Sequence, residues 1–317
     1  MITINKEKIK RGENKLVLLP ISKLPSGTQV DLEAYVFNGE NEGPTILFTG
    51  GLHGDEINGV EIVRKAIELK LFDKLERGSV IAIPVINSVG FINYAREASG
   101  KDVNRSFPGS KSSSLASLIA HTITHQILPE IDFGIDFHTG GASIHNSPQL
   151  RISSDDTEAL KIAKQTAVPI LIKKDTIVKS FRKQALLKGK SILVFEGGES
   201  LRLDKESIEI GVRAIKNLLI ANQMLKGSSE SLEDSNEEQT LFDYSRWQRS
   251  LKAGIFTAYK SAGQQVHKGE VIGEINHLNP FSKTKVKAKY SGTLIGHQNN
   301  PIVNKGDALF HTGIKEK

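Results

Sequence analysis

The sequence of 317 residues contains no cysteine, one tryptophan and no long hydrophobic run. Without cysteine the chain can form no disulfide framework, thiolate metal site or cysteine nucleophile, which leaves His, Asp and Glu as metal ligands. No run approaches the roughly 18 apolar residues that cross a bilayer, and the first residues carry charges where a signal peptide would have its apolar stretch. These absences predict a soluble, cytoplasmic protein with no membrane partner.

Aromatic residues are scarce at 6%, and the charge imbalance is small, with 42 Lys and Arg against 36 Asp and Glu. A mild basic excess allows anionic partners, but no nucleic-acid-binding motif accompanies it, so we predict no nucleic-acid partner. One basic segment stands out, because residues 173–190 contain seven Lys or Arg and one acid, Asp175. It is either a solvated face or an electropositive rim for a substrate that bears a carboxylate. The composition leaves a homo-oligomer open.

Hydrophobic residues at 38% and charged residues at 25% predict a folded chain with a sizeable core. Over the first two thirds, short continuous apolar runs alternate with amphipathic stretches of helical period. The predicted strands are 45–49, 80–86, 131–137, 169–172 and 192–195, and the predicted helices are 56–71, 115–128 and 207–225. Continuous apolar strands are typical of sheets covered on both faces, so the pattern predicts a three-layer α/β/α sandwich with a largely parallel or mixed sheet.

The composition changes abruptly at residues 227–240, which contain five acidic residues, no basic residue and almost nothing apolar. Beyond them the chain consists of short strand patterns separated by glycine turns. We therefore predict a main domain at 1–226, an acidic linker or surface loop at 227–243, and a small all-β domain at 244–317.

The C-terminal region contains a weak internal repeat, in which a Gly-led strand pattern precedes Val-His-Lys-Gly-Glu at 266–270 and again Val-Asn-Lys-Gly-Asp at 303–307. Each half is typical of two strands joined by a tight turn, and two halves can close into a barrel-sandwich. The pattern resembles the biotinyl/lipoyl-carrier fold. A carrier needs a lysine at the tip of its central hairpin, and residues 276–282 contain none. The sequence predicts the fold without the carrier function.

The segment Thr-Gly-Gly-Leu-His-Gly-Asp-Glu at 49–56 follows an apolar run and contains two candidate metal ligands, His53 and Glu56. At a helix start, residues three apart project from one face, and one imidazole with one carboxylate suits a divalent ion of the zinc type. The spacing alone is weak, since about one chance match is expected per chain. His267 and Glu270 repeat it, but in a segment that the internal repeat explains as a turn.

Two further motifs occur at the ends of apolar runs. In Asp-Phe-His-Thr-Gly-Gly at 136–141, His138 is either a hydrogen-bonded structural residue or the third protein ligand of a catalytic zinc site. In the second case, Asp136 or a backbone carbonyl could orient a ring nitrogen. In Leu-Val-Phe-Glu-Gly-Gly at 193–198, Glu196 is either an exposed acid beside a turn or a general base near a metal.

The segment Lys-Asp-Val-Asn-Arg-Ser-Phe-Pro-Gly at 101–109 offers an amide and a planar guanidinium side by side, in Asn104 and Arg105. Such a pair is suited to a carboxylate, although a polar loop before Pro-Gly would have the same composition. Arg96, nine residues before Arg105, could polarise a carbonyl or lie on a solvated surface.

Four of these motifs, in this order, resemble those of the succinylglutamate desuccinylase/aspartoacylase family, which belongs to the zinc carboxypeptidase superfamily. They are Gly-Leu-His-Gly-Asp-Glu at 51–56, Asp-Val-Asn-Arg-Ser-Phe-Pro-Gly at 102–109, Asp-Phe-His-Thr at 136–139 and Phe-Glu-Gly-Gly at 195–198. Each motif alone is modest, but four in the right order are specific. The resemblance covers about residues 40–200, and a C-terminal barrel extends it because members often carry one. It implies a zinc carboxypeptidase-like fold, with a zinc-hydrolase domain at residues 1–226.

The resemblance also implies roles for individual residues and one zinc ion per chain. The implied zinc ligands are His53, Glu56 and His138. The implied catalytic residues are Glu196 and, for polarising the carbonyl, Arg96. The implied substrate-binding residues are Asn104, Arg105 and, as the best match to a further arginine of the family, Arg182.

Two features of the family are matched less clearly. Ser88 stands where the family usually has proline after asparagine, which is a small departure. Some members supply a tyrosine from the C-terminal region, and both Tyr259 and Tyr290 are available here.

The leading functional hypothesis is a zinc-dependent deacylase that cleaves the amide bond of an N-acyl amino acid or related small amine. A metal-bound water would attack the carbonyl, and Glu196 would take its proton and pass it to the leaving amine. A metallocarboxypeptidase acting on short peptides would use the same residues, and an ester substrate is chemically allowed. A catalytically silent protein that kept the metal site is the third hypothesis. The expected partner is a small acylated substrate that bears a carboxylate.

Overall fold

The chain forms a mixed α/β fold in the computed structural model, which describes residues 1–226 and 239–315. Residues 227–238, which make up most of the predicted linker, and residues 316–317 lie outside the described residues. The strands in chain order are β1 (Ile2–Ile4), β2 (Glu7–Ile9), β3 (Asn14–Lys23), β4 (Gln29–Asn38), β5 (Asn41–Gly50), β6 (Arg77–Ile83), β7 (Phe133–Gly140), β8 (Ile144–Ile152), β9 (Ile170–Lys173), β10 (Ser191–Glu199), β11 (Thr240–Phe242), β12 (Tyr244–Arg249), β13 (Gly254–Ala258), β14 (Gln265–Val266), β15 (Val271–Leu278), β16 (Phe281–Lys287), β17 (Gly292–Gln298), β18 (Ile302–Val303) and β19 (Ala308–Ile314).

The helices lie between the strands of the first two thirds, and none among the described residues is long and apolar enough to span a bilayer. They are α1 (Ile57–Glu68), α2 (Ser88–Ile92), α3 (Leu115–Thr122), α4 (Thr157–Thr166), α5 (Phe181–Leu187) and α6 (Lys205–Ala221).

Most strands join one large sheet, in the spatial order β12-β19-β17-β8-β10-β7-β5-β6-β4-β3. Its centre is parallel, because β10, β7, β5 and β6 run in the same direction, whereas β8 and β4 pair antiparallel on either side. The smaller sheets are β1-β2 and β16-β15-β13-β18. The carboxyl ends of the central strands meet at one edge of the sheet, which is where the histidine and glutamate motifs lie.

Both faces of the central sheet are buried. Along β5, Ile46 and Phe48 pack in one hydrophobic cluster with α1, α4 and α6, and Leu47 packs in a second cluster with α3 and the N-terminal strands. Successive side chains of a strand point to opposite faces, so a strand covered on both sides must be apolar at every position. This burial accounts for the continuous runs, and the five predicted strands are confirmed with shifted ends.

The structure differs from the predicted elements in three ways. The predicted helix 115–128 is α-helical to Thr122 and continues as a π turn over Ile123–Ile127. The apolar pattern does not distinguish the two, because Ile119, Ile123 and Ile127 are all buried. Strand β10 does not end at Glu196 but continues to Glu199 with a register shift. Strands β1 to β4 and β8 are absent from the predicted set. Strand β8 has few consecutive apolar residues, whereas β3 has the apolar run 16–21, in which Leu16 and Leu18 are exposed.

The C-terminal strands are hydrogen-bonded into the large sheet, because β17 pairs with β8 and brings Gly296 opposite Asn146. Within the predicted linker, Thr240–Phe242 forms strand β11, which pairs in parallel with β9. The two turns of the internal repeat are alike. The His267 amide donates to the Glu270 carboxylate at 2.9 Å, and the Asn304 amide donates to Asp307 at 2.7 Å. The second His-x-x-Glu spacing therefore belongs to a turn.

Candidate metal centre and surrounding pocket

His53, Glu56 and His138 form a buried cluster whose candidate ligand atoms all lie within 4.8 Å of one another. The two oxygens of Glu56 face the two rings, with Oε1 at 2.7 Å from Nδ1 of His53 and Oε2 at 2.6 Å from Nδ1 of His138. Burial alone would raise the pKa of Glu56, but the two imidazoles hold it well below its usual range. Two imidazoles and one carboxylate converging on one point can hold a zinc-type ion and leave a coordination position open.

A turn, rather than a helix, brings His53 and Glu56 together. Helix α1 begins at Ile57, and Glu56 is the residue that precedes it. The Glu56 amide donates to the His53 carbonyl at 3.2 Å, so the turn points both side chains the same way. Gly54 makes this turn possible, because a Cβ at that position would clash with the backbone of Gly90. The prediction of a shared helical face is therefore wrong, although the convergence that it implied is present.

Each histidine of the cluster has a second carboxylate on its other ring nitrogen. Nε2 of His138 lies 2.6 Å from Asp136, and Nε2 of His53 lies 3.3 Å from Asp102. Such partners fix the tautomer and leave Nδ1 free to act as the ligand atom. The sequence predicts Asp136 or a backbone carbonyl for this role at His138, whereas no pattern in it points to Asp102 as a partner of His53.

We expect Asp136→Asn to weaken zinc affinity by about 10–100-fold. The neutral amide is a weaker hydrogen-bond acceptor than the carboxylate, so it holds the ring of His138 less firmly. Competition with a zinc chelator measures the affinity. Asp132→Asn is a suitable control, because Asp132 lies on the same segment but caps the Thr45 amide away from the cluster. Equal affinities in the wild type and Asp136→Asn would contradict the expectation.

Glu196 lies beside the cluster on β10, opposite His138 on β7, with 7% of its surface exposed. Burial raises the pKa of its carboxyl group, and the guanidinium of Arg151 opposes this shift. Arg151 lies 2.8 Å from Oε1, and Asn146 donates to Oε2 at 3.1 Å. The sequence does not predict Arg151 or Asn146 as partners of Glu196, because both lie on β8, a strand that the apolar pattern does not predict.

Arg96 lies on the loop that follows α2, and Asn104 and Arg105 belong to the short 3-10 helix Val103–Arg105. Arg96 donates to Glu56 and to Asp102, each at 3.2 Å, which ties the guanidinium to the metal cluster. Asn104 uses its side-chain oxygen to accept a hydrogen bond from the Phe181 amide. Arg105 is exposed and donates to the Asn104 carbonyl at 2.7 Å. The guanidinium of Arg105 thus contacts the backbone of Asn104, and the side chain of Asn104 holds the start of α5.

Arg182, on α5, is a buried arginine with an unused donor. Its Nη2 donates to the carbonyls of Lys174 and Asp175, both at 2.9 Å, whereas the buried Nη1 has no hydrogen-bond partner. Burial, together with the nearby charge of Arg151, lowers the pKa of the guanidinium to about 10. An unpaired buried donor is costly, so this group is suited to an anionic ligand.

All the predicted site residues line one cavity of about 280 Å³; they are His53, Glu56, Arg96, Asn104, Arg105, His138, Arg182 and Glu196. Arg151 and Lys174 line the same cavity, which is therefore surrounded by several fixed cations. Lys174, Asp175 and Arg182 of the basic segment 173–190 all line this cavity, so the segment contributes two cations and one carboxylate to it. From the C-terminal strands, the cavity-lining residue is Trp247, and neither Tyr259 nor Tyr290 is among the lining residues.

Comparison with known proteins gives a consistent result across the chain. Residues 42–221 match the family model of the succinylglutamate desuccinylase/aspartoacylase catalytic domain. The N-alpha-acetyl-L-2,4-diaminobutyric acid deacetylase of Halomonas elongata is 26% identical over 306 residues, which cover 92% of this chain and 88% of that protein.

Solved structures also resemble the whole chain. A succinylglutamate desuccinylase/aspartoacylase from Rhodobacter sphaeroides has a TM-score of 0.82 at 24% identity and covers 96% of both chains. The ectoine utilization protein of Ruegeria pomeroyi, in a product-bound structure, has a TM-score of 0.83 at 21% identity and covers 96% of this chain and 95% of that one. At these identities the likeness concerns the fold.

Proposed function

Because the chain belongs to the succinylglutamate desuccinylase/aspartoacylase family, we propose that it is a zinc-dependent hydrolase that removes an acyl group from an N-acyl amino acid. The observation that carries the proposal is the buried group of His53, Glu56 and His138 with Glu196 beside it in one cavity. One zinc ion fits this group, because both rings have Nδ1 facing the centre and a carboxylate on Nε2.

Glu196 is the proposed general base and acid. A bound zinc ion would supply the positive charge that polarises the scissile carbonyl and makes water acidic enough to react at neutral pH. Glu196 takes a proton from the attacking water and delivers it to the amine nitrogen as the carbon–nitrogen bond breaks. Arg151 and Asn146 hold its two oxygens, so the carboxylate meets the substrate in a fixed orientation. Arg96 is the proposed second donor to the carbonyl oxygen.

The substrate is expected to bear a carboxylate. Asn104, Arg105 and Arg182 are the proposed binding residues, and the unpaired Nη1 of Arg182 is the donor best suited to it. The Halomonas relative acts on an acetylated amino acid, as its name states, so an acetyl group is the first acyl group to test.

A hydrolysis screen tests the proposal. Zinc-loaded and zinc-free protein would be compared on N-acetyl and N-succinyl amino acids, on N-blocked dipeptides and on the corresponding esters. We expect zinc-dependent release of the amino acid from the acyl compounds. Release of a C-terminal residue from the dipeptides alone would identify a carboxypeptidase, and no hydrolysis by the zinc-loaded protein would refute the enzymatic proposal.

We expect Arg105→Lys to lower kcat/KM by about 10-fold for carboxylate-bearing substrates and by less for their amidated analogues, because lysine keeps the charge but loses the bidentate fork. Steady-state kinetics on both substrates measure the difference. Arg64→Lys is the matched control, because Arg64 is an exposed helical arginine that pairs with Glu61 outside the cavity. An equal loss on both substrates, with a lower melting temperature, would mean that Arg105 only holds its loop.

The finer architecture is part of the same proposal. We assign residues 1–226 to a three-layer α/β/α sandwich of the zinc carboxypeptidase kind and residues 244–317 to a barrel-sandwich that borders the cavity. Helix-containing clusters on both faces of the sheet support the first assignment, and the repeated turns support the second. A cytoplasmic location remains a prediction from the sequence.

A further inference from the structure

Trp247 borders the proposed active-site cavity from strand β12, and it is the one tryptophan of the sequence. It lies directly across from His311 in the antiparallel pair of β12 and β19. The two rings are stacked, with centroids 4.4 Å apart and planes inclined by 5°. His311 covers one face of the indole, and Trp247 as a residue is 36% exposed, which leaves it accessible to a ligand.

His311 is an unusual support for this ring. It is 3% exposed, and neither of its ring nitrogens has a hydrogen-bond partner. Burial, together with the charges of Arg151 and Lys174, lowers the pKa of its imidazole to about 3, so the ring stays neutral near pH 7. Two unpaired polar atoms in the interior lower the stability of the fold. A buried histidine in this state therefore suggests that the residue has a role other than stabilisation. That role is to fix the plane of the Trp247 ring by stacking against it.

The surroundings of Trp247 indicate what kind of group it contacts. Ile144 and Ile177 line the same cavity as Trp247, so the cavity offers apolar side chains as well as charged ones. Arg151 and Lys174, whose charges act on the stacked His311, also line the cavity, and they disfavour a positively charged group beside the indole. An uncharged carbon chain satisfies both conditions.

We propose that Trp247 is a specificity-determining residue that packs against an uncharged carbon chain of the substrate, in either its acyl group or its amino-acid side chain. The proposal rests on the proposed function, since it assumes that an N-acyl amino acid occupies the cavity. The stack on His311 makes the indole a preformed wall, which binds a chain without first having to be ordered.

Intrinsic fluorescence tests the contact, because the emission of the native protein comes from Trp247 alone among tryptophans. Zinc-loaded Glu196→Gln protein would be titrated with two series of ligands. One series lengthens the acyl group of N-acyl-aspartate from acetyl to hexanoyl, and the other lengthens the side chain of an N-acetyl amino acid from alanine to norleucine. We expect a saturable change in emission, with affinity rising along one series and thereby identifying which half of the substrate meets the indole.

The kinetics of Trp247→Ala test whether Trp247 sets the preference of the protein for carbon-chain length. In the wild type, kcat/KM should rise up to roughly fourfold per added methylene along the favoured series. This dependence should disappear in Trp247→Ala and persist partly in Trp247→Phe, with unchanged zinc content in both. Tyr244→Ala is the matched control, because it removes an exposed aromatic side chain from the same strand outside the cavity.

The outcomes separate this proposal from the proposed function. A saturable emission change without hydrolysis in the active protein would support the contact and refute the deacylase. Hydrolysis with constant emission, and with the same chain-length profile in the wild type and in Trp247→Phe, would overturn the role of Trp247. Trp247→Phe retains an aromatic ring, so this conclusion does not depend on the folding of the alanine variant.

Discussion

Glu196→Gln should leave zinc bound and lower turnover by about 10²–10⁴-fold, the usual scale for the loss of a general acid–base group. The amide has nearly the shape of the carboxylate and can keep hydrogen bonds to Arg151 or Asn146, but it cannot accept the proton of the attacking water. Steady-state kinetics with metal analysis of the same preparation measure both quantities. A variant with nearly normal kcat would remove Glu196 from the mechanism.

Glu199→Gln is the control for this experiment. Glu199 is a second buried glutamate on β10, and its carboxylate accepts a hydrogen bond from Asn299 instead of lining the cavity. We expect any effect of Glu199→Gln to fall on the melting temperature and to leave kcat within a few-fold of the wild type. A parallel loss of turnover in both variants would mean that the strand, and not the Glu196 carboxylate, had been disturbed.

The central sheet and the metal cluster could be predicted from the sequence because both leave local signals. A strand buried on two faces must be apolar throughout, which made β5, β7 and β10 recognisable. The candidate ligands lie where these strands meet the following loops, so His53 and His138 converge although 84 residues separate them in the sequence. His53 and Glu56 do not share a helical face, but the turn that joins them directs both side chains to the same point.

The residues that surround Glu196 could not be predicted in this way. Asn146 and Arg151 lie on β8, whose alternating exposure and internal proline hide it from a search for apolar runs. Trp247 reaches the cavity because β19 and β17 connect its strand to β8, a chain of pairings between segments that are far apart in the sequence. The family resemblance points to a tyrosine from the C-terminal region, Tyr259 or Tyr290, whereas the strand pairing brings Trp247 to the cavity. Long-range strand order therefore determines which side chains complete the pocket.

His138→Ala should reduce bound zinc from one per chain to nearly none and abolish hydrolysis. The two remaining candidate ligands, His53 and Glu56, lie on one short turn and cannot surround an ion by themselves. The substitution also leaves the buried carboxylates of Glu56 and Asp136 without the imidazole that they share, and uncompensated buried charge is strongly destabilising. Circular dichroism must therefore accompany metal analysis, and His53→Ala, which spares Asp136, provides an independent second variant.

The second His-x-x-Glu sequence, at residues 267–270, provides a control for the metal site. His267 and Glu270 have the same spacing as His53 and Glu56, yet they close an exposed turn and have no third ligand within the described residues. We expect His267→Ala to retain one zinc ion per chain and full activity, while both His138→Ala and His53→Ala lose them. If zinc content were unchanged in the two cluster variants, or if it fell in His267→Ala, the ion would lie elsewhere. Spacing alone cannot produce this contrast, because the two pairs differ in burial and in the convergence of a third side chain from β7.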